Sequence, residues 1–207
     1  MMDFLFLFIG LLVAVSVHEF SHAWVADRLG DPTPRVQGRL TLNPLAHLDV
    51  VGTLMLLVFQ FGWGKPVVVN SQYFRVPLRD NALVSLAGPL SNFFVAFGLS
   101  VLMVVVQRSV PEIIFSLLGF VLDLNVVLGV FNLLPFPPFD GSKILGLFVP
   151  AKWERAYRHY LEQGTVFVIL FVLFDFIVIR NAFGYSIIQI TVSVLAAFVK
   201  SVFVLGM

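Results

Sequence analysis

The chain has 207 residues, 59% of them hydrophobic and only 12% charged, with a mean hydropathy of +0.96. A soluble domain is about 45–50% apolar and ~25% charged, so this chain has too few charges to cover a water-facing surface, and a membrane is its natural solvent. A net charge of +1 without a basic run gives no footing for nucleic acid, and the absence of cysteine removes disulfides, thiolate metal sites and cysteine nucleophiles together.

In chain order, the first apolar segment is Phe4–Leu29. Asp3 stands where a signal peptide carries basic residues, and the run is longer than an h-region, so it reads as a membrane helix. Asp31-Pro32-Thr33-Pro34 is expected to stop it. Val50–Phe61 is too short to span comfortably and reads as re-entrant or interfacial. Gly62-Trp63-Gly64-Lys65-Pro66-Val67-Val68-Val69-Asn70 reads as a turn followed by a β-branched extended stretch. Asn81–Gln107 and Glu112–Leu134 are long enough to cross a core of ~30 Å at 1.5 Å per residue. Pro135, Pro137 and Pro138 end the second of these. Ala151–Gln163 is polar and amphipathic and is expected at the membrane surface, where Arg155, Arg158 and His159 would meet anionic headgroups. Thr165–Ile179 and Tyr185–Val199 span if their flanks join them. The expected fold is thus an all-α polytopic membrane protein. It has about five transmembrane helices, a short re-entrant segment and a small β-like stretch near residues 64–70. It forms one membrane domain, with a core at about residues 4–149 and a C-terminal helical pair at about 163–205.

The basic residues set the orientation. If Val50–Phe61 turns back, Arg28, Arg35, Arg39, Lys65, Arg75, Arg79, Lys143, Lys152, Arg155, Arg158 and Lys200 share one side, and only Arg108 and Arg180 lie on the other. The positive-inside bias makes the crowded side cytoplasmic and the N-terminus external.

The chemistry is concentrated in His18-Glu19-Phe20-Ser21-His22, an HExxH sequence inside the first apolar helix. Residues four apart lie one turn apart on the same face, so two imidazoles can reach one zinc ion. Glu19 beside them can take a proton from the activated water. With four His in 207 residues and as few Glu, chance gives roughly 0.0015 such patterns. The bland alternative is three polar residues satisfying one another in a bundle. An idle glutamate is disfavoured there, because a charged centre in a membrane helix costs ~2.5–3.5 kcal/mol on insertion scales.

A catalytic zinc takes three protein ligands plus water, so a third is needed. His47, Asp49, Asp123, Asp140 and Asp175 are available. Helix rise puts His18 about 21 Å below Phe4, in the cytoplasmic-side third. The Glu112–Leu134 segment returns to that depth by Asn132, and Asp140 follows six residues after Leu134. Asp123 falls near mid-membrane. Depth therefore selects Asp140, and only if Val50–Phe61 does not span. A turn-forming Asp140-Gly141 is the structural alternative. His47 and Asp49 read as loop residues, and Asp123 and Asp175 as intramembrane carboxylates of open role.

At these residues the chain resembles the site-2 protease family of intramembrane zinc metalloproteases. The family joins an HExxH helix to a later Asn-x-x-Pro…Asp-Gly segment, here Asn132-Leu133-Leu134-Pro135 through Asp140-Gly141. Ala87-Gly88-Pro89-Leu90-Ser91-Asn92, the Arg39–Asp49 stretch and Gly64-Lys65-Pro66-Val67 are also similar to it. The likeness covers roughly residues 10–150 and points to the compact branch without PDZ or CBS domains. It implies one Zn2+ per chain on His18, His22 and Asp140, with Glu19 as acid/base. It also implies cleavage of a peptide bond in or near a transmembrane segment of a membrane-protein substrate, in a prokaryotic cell membrane. Asn92 and Asn132 fall in motifs near the site and are candidates for hydrogen bonds to the oxyanion or substrate backbone, or else for helix–helix bonding. Val67, Val68 and Val69 are candidates for binding unwound substrate by strand addition. The rival reading is a membrane metal transporter using the same cluster. Oligomeric state is not legible.

Overall fold

The structure, a computed structural model, describes residues 2–59 and 64–203. The ends of two expected segments, residues 60–61 and 204–205, therefore lie outside the described residues, as do Gly62 and Trp63.

Helix α1 spans Met2–Arg28. It stops earlier than its prolines require. Gly30 adopts φ 105°, and Asp31 N–H closes onto the Ala26 carbonyl at 3.0 Å, the wrap-around bond of a glycine C-cap. The prolines instead start a single helical turn, α2 (Thr33–Val36). Helix α3 (Val50–Phe59) has ten residues, about 15 Å, half of what a crossing needs.

Helix α4 (Pro77–Val106) begins with proline at its first position, and Asp80 reaches back to the Val76 N–H at 3.0 Å. Helix α5 (Glu112–Asn132) ends just before Pro135. The short α6 (Asp140–Ile144) follows the proline segment. Helix α7 (Glu154–Phe174) absorbs most of the polar piece expected at the surface, so that piece is the first turns of a long helix rather than a separate element. It runs on through a π-turn at Asp175–Ile179 into α8 (Arg180–Phe183). Helix α9 spans Ile187–Phe203.

Among the described residues, four helical stretches are long and apolar enough to cross a membrane: Phe4–Arg28, Pro77–Val106, Glu112–Asn132 and Ala151–Phe183. α9, with 17 residues, is the shorter fifth. The stretch after Gly64 forms no strand. Among the described residues its one pairing is an isolated bridge between Gly64 and Leu48.

Helices α1, α4 and α5 pack as the centre. On α1 the buried residues Gly10, Ala14, His18, His22 and Ala26 recur every four residues, a single helical face. Small residues let backbones approach, which matters where lipid supplies no hydrophobic drive. A Cβ on Gly129 of α5 would lie 2.5 Å from the Phe93 ring of α4. Leu122, Val126 and Val130 of α5 pack with Ala96 and Met103 of α4 and with Val192 and Ala196 of α9. Asp123 does not join the metal cluster; it pairs with Lys200 of α9 at 2.5 Å. Lys200, placed on the basic side by its sequence position, thus pairs on the outer surface of the bundle. Asp175 accepts from the Ser186 hydroxyl and from Ile187 N–H at 2.8 Å, which caps α9.

Candidate metal centre

His18 and His22 sit in the last three turns of α1, and Asp140 opens α6. Their metal-binding atoms converge. His18 Nε2 and His22 Nε2 are 3.0 Å apart, and Asp140 Oδ2 lies 3.1 Å from each. Among the described residues this is the one group of three such side chains placed to hold a metal ion, and all three are buried. A tetrahedral zinc with bonds of ~2.0–2.1 Å keeps its ligand atoms about 3.3 Å apart. The triangle needs to open by only a few tenths of an ångström to fit. Two imidazoles and one carboxylate, with a fourth position left over, form the donor set of a hydrolytic zinc site.

The opposite ring nitrogens are tied to the bundle. His22 Nδ1–H donates to the Val84 carbonyl of α4 at 2.7 Å. His18 Nδ1–H donates to Asn92 Oδ1 at 2.7 Å. Asn92 in turn donates to the Ala14 carbonyl at 2.9 Å and to Asn125 Oδ1 at 3.0 Å, and Asn125 donates to the Val121 carbonyl at 2.8 Å. Both amide hydrogens of Asn92 are used and the residue is fully buried, which leaves it no donor for a substrate oxyanion. Its place is behind His18.

Asp140 faces both imidazoles across the triangle from the start of α6. Gly141 explains how Asp140 gets there. A Cβ on it would lie 2.2 Å from the Leu133 carbonyl, so only glycine lets α6 abut the end of α5. Gly88 does the same from α4. A Cβ there would lie 2.5 Å from His22 Nε2 and 2.6 Å from His18 Cε1.

The triangle forms one wall of a cavity of about 420 Å³ that Glu19, Pro66, Val67, Val69, Asn81, Asn132 and Lys143 also line. Glu19 Oε2 accepts from the Val67 N–H at 2.8 Å. The strip containing Val67 is anchored on both sides. Arg39 donates to the Pro66 carbonyl at 3.2 Å, and Asn70 N–H donates to Asp31 Oδ2 at 2.7 Å. Lys65 N–H bonds the His47 carbonyl at 2.8 Å, and His47 Nε2–H bonds the Thr41 carbonyl at 2.8 Å. His47 and Asp49 therefore shape the loop rather than touch the metal triangle, Asp49 by capping α3 through Gly52 N–H at 2.8 Å. Asn132 faces the cavity and spends one amide hydrogen on the Leu128 carbonyl at 3.0 Å. Asn125 is the residue that the sequence did not single out; Gly88, Arg39 and Asp31 stood out there only through a motif, a charge and a helix stop.

The family model for peptidase family M50 matches residues 100–176. YwhC of Bacillus subtilis, named as a candidate zinc metalloprotease, is 41% identical over 175 residues, which is 81% of this chain and 80% of that protein. Rip2 of Mycolicibacterium smegmatis, named in the same way, is 31% identical over 174 residues, 82% of this chain and 67% of its own. A similarly named protein of Methanocaldococcus jannaschii is 32% identical over 142 residues, 67% of this chain and 70% of its own. No solved structure gives a significant match. With four helices among the described residues able to cross a membrane and a buried His/His/Asp triangle on α1 and α6 beside α4, this chain belongs to peptidase family M50, the site-2 proteases, as a multi-pass membrane zinc metalloprotease.

Proposed function

We propose that the protein hydrolyses a peptide bond in or near a transmembrane segment of membrane-protein substrates, with zinc held by His18, His22 and Asp140 and with Glu19 as general acid/base. The observation that carries this reading is the cavity that joins the triangle, Glu19 and the Pro66–Val69 strip in one place. Zinc bound there would supply Lewis acidity, lowering the pKa of a water toward ~7 and polarising the scissile carbonyl.

Glu19 removes a proton from the attacking water and later delivers it to the leaving amine, so that one water and one peptide give a carboxylate and an amine. The Val67 N–H holds one of its oxygens, and no other hydrogen bond among the described residues uses the second. Asn132, with an amide group facing the cavity, is suited to bond the substrate backbone. A helical substrate hides its carbonyls and must unwind to react. Among the described residues no hydrogen bond uses the backbone of Val68, which is 54% exposed, so an unwound peptide can add along Val67–Val69 by strand addition. The positive-inside bias puts this site toward the cytoplasm. The transporter reading has no observation of its own to set against a protease family.

The test is Glu19→Gln in a co-expression assay with a membrane substrate. The variant should keep about one zinc per chain and lose cleavage; cleavage at a normal rate by Glu19→Gln refutes the mechanism. In the same assay Val68→Pro should cut turnover at least ~10-fold, because proline removes a backbone donor and clashes with an added strand. Normal turnover by that variant excludes strand addition.

A further inference from the structure

Helix α7 meets the metal centre through a single face. Tyr157, Tyr160 and Gly164 lie on it at i, i+3 and i+7. The Tyr157 hydroxyl lies 2.9 Å from the Ser142 carbonyl and 3.1 Å from that of Lys143, donating to the pair. The Tyr160 hydroxyl donates to the Pro135 carbonyl. A Cβ on Gly164 would lie 2.9 Å from Pro137 Cγ. All these contacts fall on residues 135–143, on both sides of Asp140.

Three prolines in this segment remove backbone donors. α6 runs on into a 3-10 turn at Leu145–Phe148, where the Leu145 N–H closes onto the Gly141 and Lys143 carbonyls, so Tyr157 adds a further bond at Lys143 and Tyr160 ties down the Pro135 carbonyl. Among the described residues, the two tyrosines make the only side-chain hydrogen bonds from α7 to another element, and Tyr157 is the one residue of α7 that is buried. Beyond Gly164 the helix parts from the core. An apolar crevice of about 560 Å³ opens there, with Phe167 and Phe171 on one side and Phe136 and Phe139 on the other. Phe139, next to Asp140, also lines the catalytic cavity.

We propose that Tyr157 and Tyr160 are positioning residues for Asp140, clamping the 135–143 segment so that its carboxylate stays against His18 and His22. This rests on Asp140 being the third zinc ligand. The polar first turns of α7 thus act as a brace for the metal centre as well as a membrane-surface anchor.

The experiment is zinc release to an excess of chelator from purified, detergent-solubilised protein, with thermal unfolding of the same samples read alongside. Tyr157→Phe and Tyr160→Phe should each speed release, and the double variant should do so about 10-fold or more, the usual scale for groups that orient a metal ligand. Tyr185→Phe, which alters a tyrosine on the far turn, should match wild type. Should the double variant not fold, Gly164→Ala loads Pro137 from the same face with both hydroxyls intact, and it too should speed release. Wild-type release from the tyrosine variants, even with lowered thermal stability, overturns the inference and leaves the tyrosines as helix packing. Asp140→Asn is the control. If it loses zinc while the tyrosine variants do not, the inference alone fails. If it retains zinc like wild type, the ligand reading fails and takes the inference with it.

Discussion

At His18, the nitrogen that faces away from Asp140 decides what the other one can do. The relay behind it can run in one direction only. The Ala14 and Val121 carbonyls can only accept, so Asn125 and Asn92 must each point their nitrogen toward them. Asn92 Oδ1 is then an acceptor, Nδ1 of His18 must carry the proton, and Nε2 keeps a lone pair for a metal. Gly88 guards the same atoms by having no side chain. Gly88→Ala places a methyl within van der Waals contact of both rings, and zinc affinity should fall ~10–100-fold by chelator competition. Unaltered affinity would show that the rings can give way. Of these residues, His18, Glu19 and His22 were legible because their relation is local, four residues along one helix. Asp140 was legible through depth counting. Asn125 was not, and Gly88 only as one member of a family-like motif, because their roles depend on which faces of three helices meet.

Helices were more legible than their joints. Apolar length located α1, α4 and α5, and glycine and proline punctuation located their ends to within a few residues. Val67–Asn70 has the β-branched composition of a strand but no partner strand. It is held extended by Glu19, Arg39 and Asp31, side chains 27 to 48 residues distant in sequence. Composition alone cannot separate those two causes. The polar turns of α7 were split from its apolar half because the sequence changes character there, while the helical hydrogen bonding does not. The Asp123–Lys200 pair, joining α5 to α9, also escaped depth counting, which treated each charge alone. Removing either partner strands the other charge in an apolar band, at ~2.5–3.5 kcal/mol on insertion scales. Asp123→Asn should therefore expose α9 to added protease, and the exchange Asp123→Lys with Lys200→Asp should restore protection. Equal protease sensitivity of the wild type and both variants would assign the pair no role in docking α9.

For the whole molecule, the bond from His22 to the Val84 carbonyl fixes the path. The end of α1 and the start of α4 lie side by side, so the chain enters and leaves the connection between them on one face of the membrane. Charge bias and metal closure both asked for that path, and α3, ten residues long, follows it. Because the natural chain has no cysteine, single cysteines give a clean reading of sidedness. Gln37→Cys and Lys152→Cys should react with an impermeant thiol reagent only from the cytoplasmic face, and Ser109→Cys and Asn181→Cys only from the outside. Labelling of Gln37→Cys and Lys152→Cys from opposite faces would break the topology.

The bond between Val67 and Glu19 has one more consequence. It ties the carboxylate to a single rung of the strip, so a peptide laid along Val67–Val69 would offer its bonds to Glu19 in steps of about 3.3 Å. A slip of one residue would turn every side chain to the opposite face. If substrate adds there, the strip would act like a ruler laid against the unwound segment, setting the cleavage point by distance along the backbone, and substrates should tolerate exchanged side chains around the cut far better than one inserted residue.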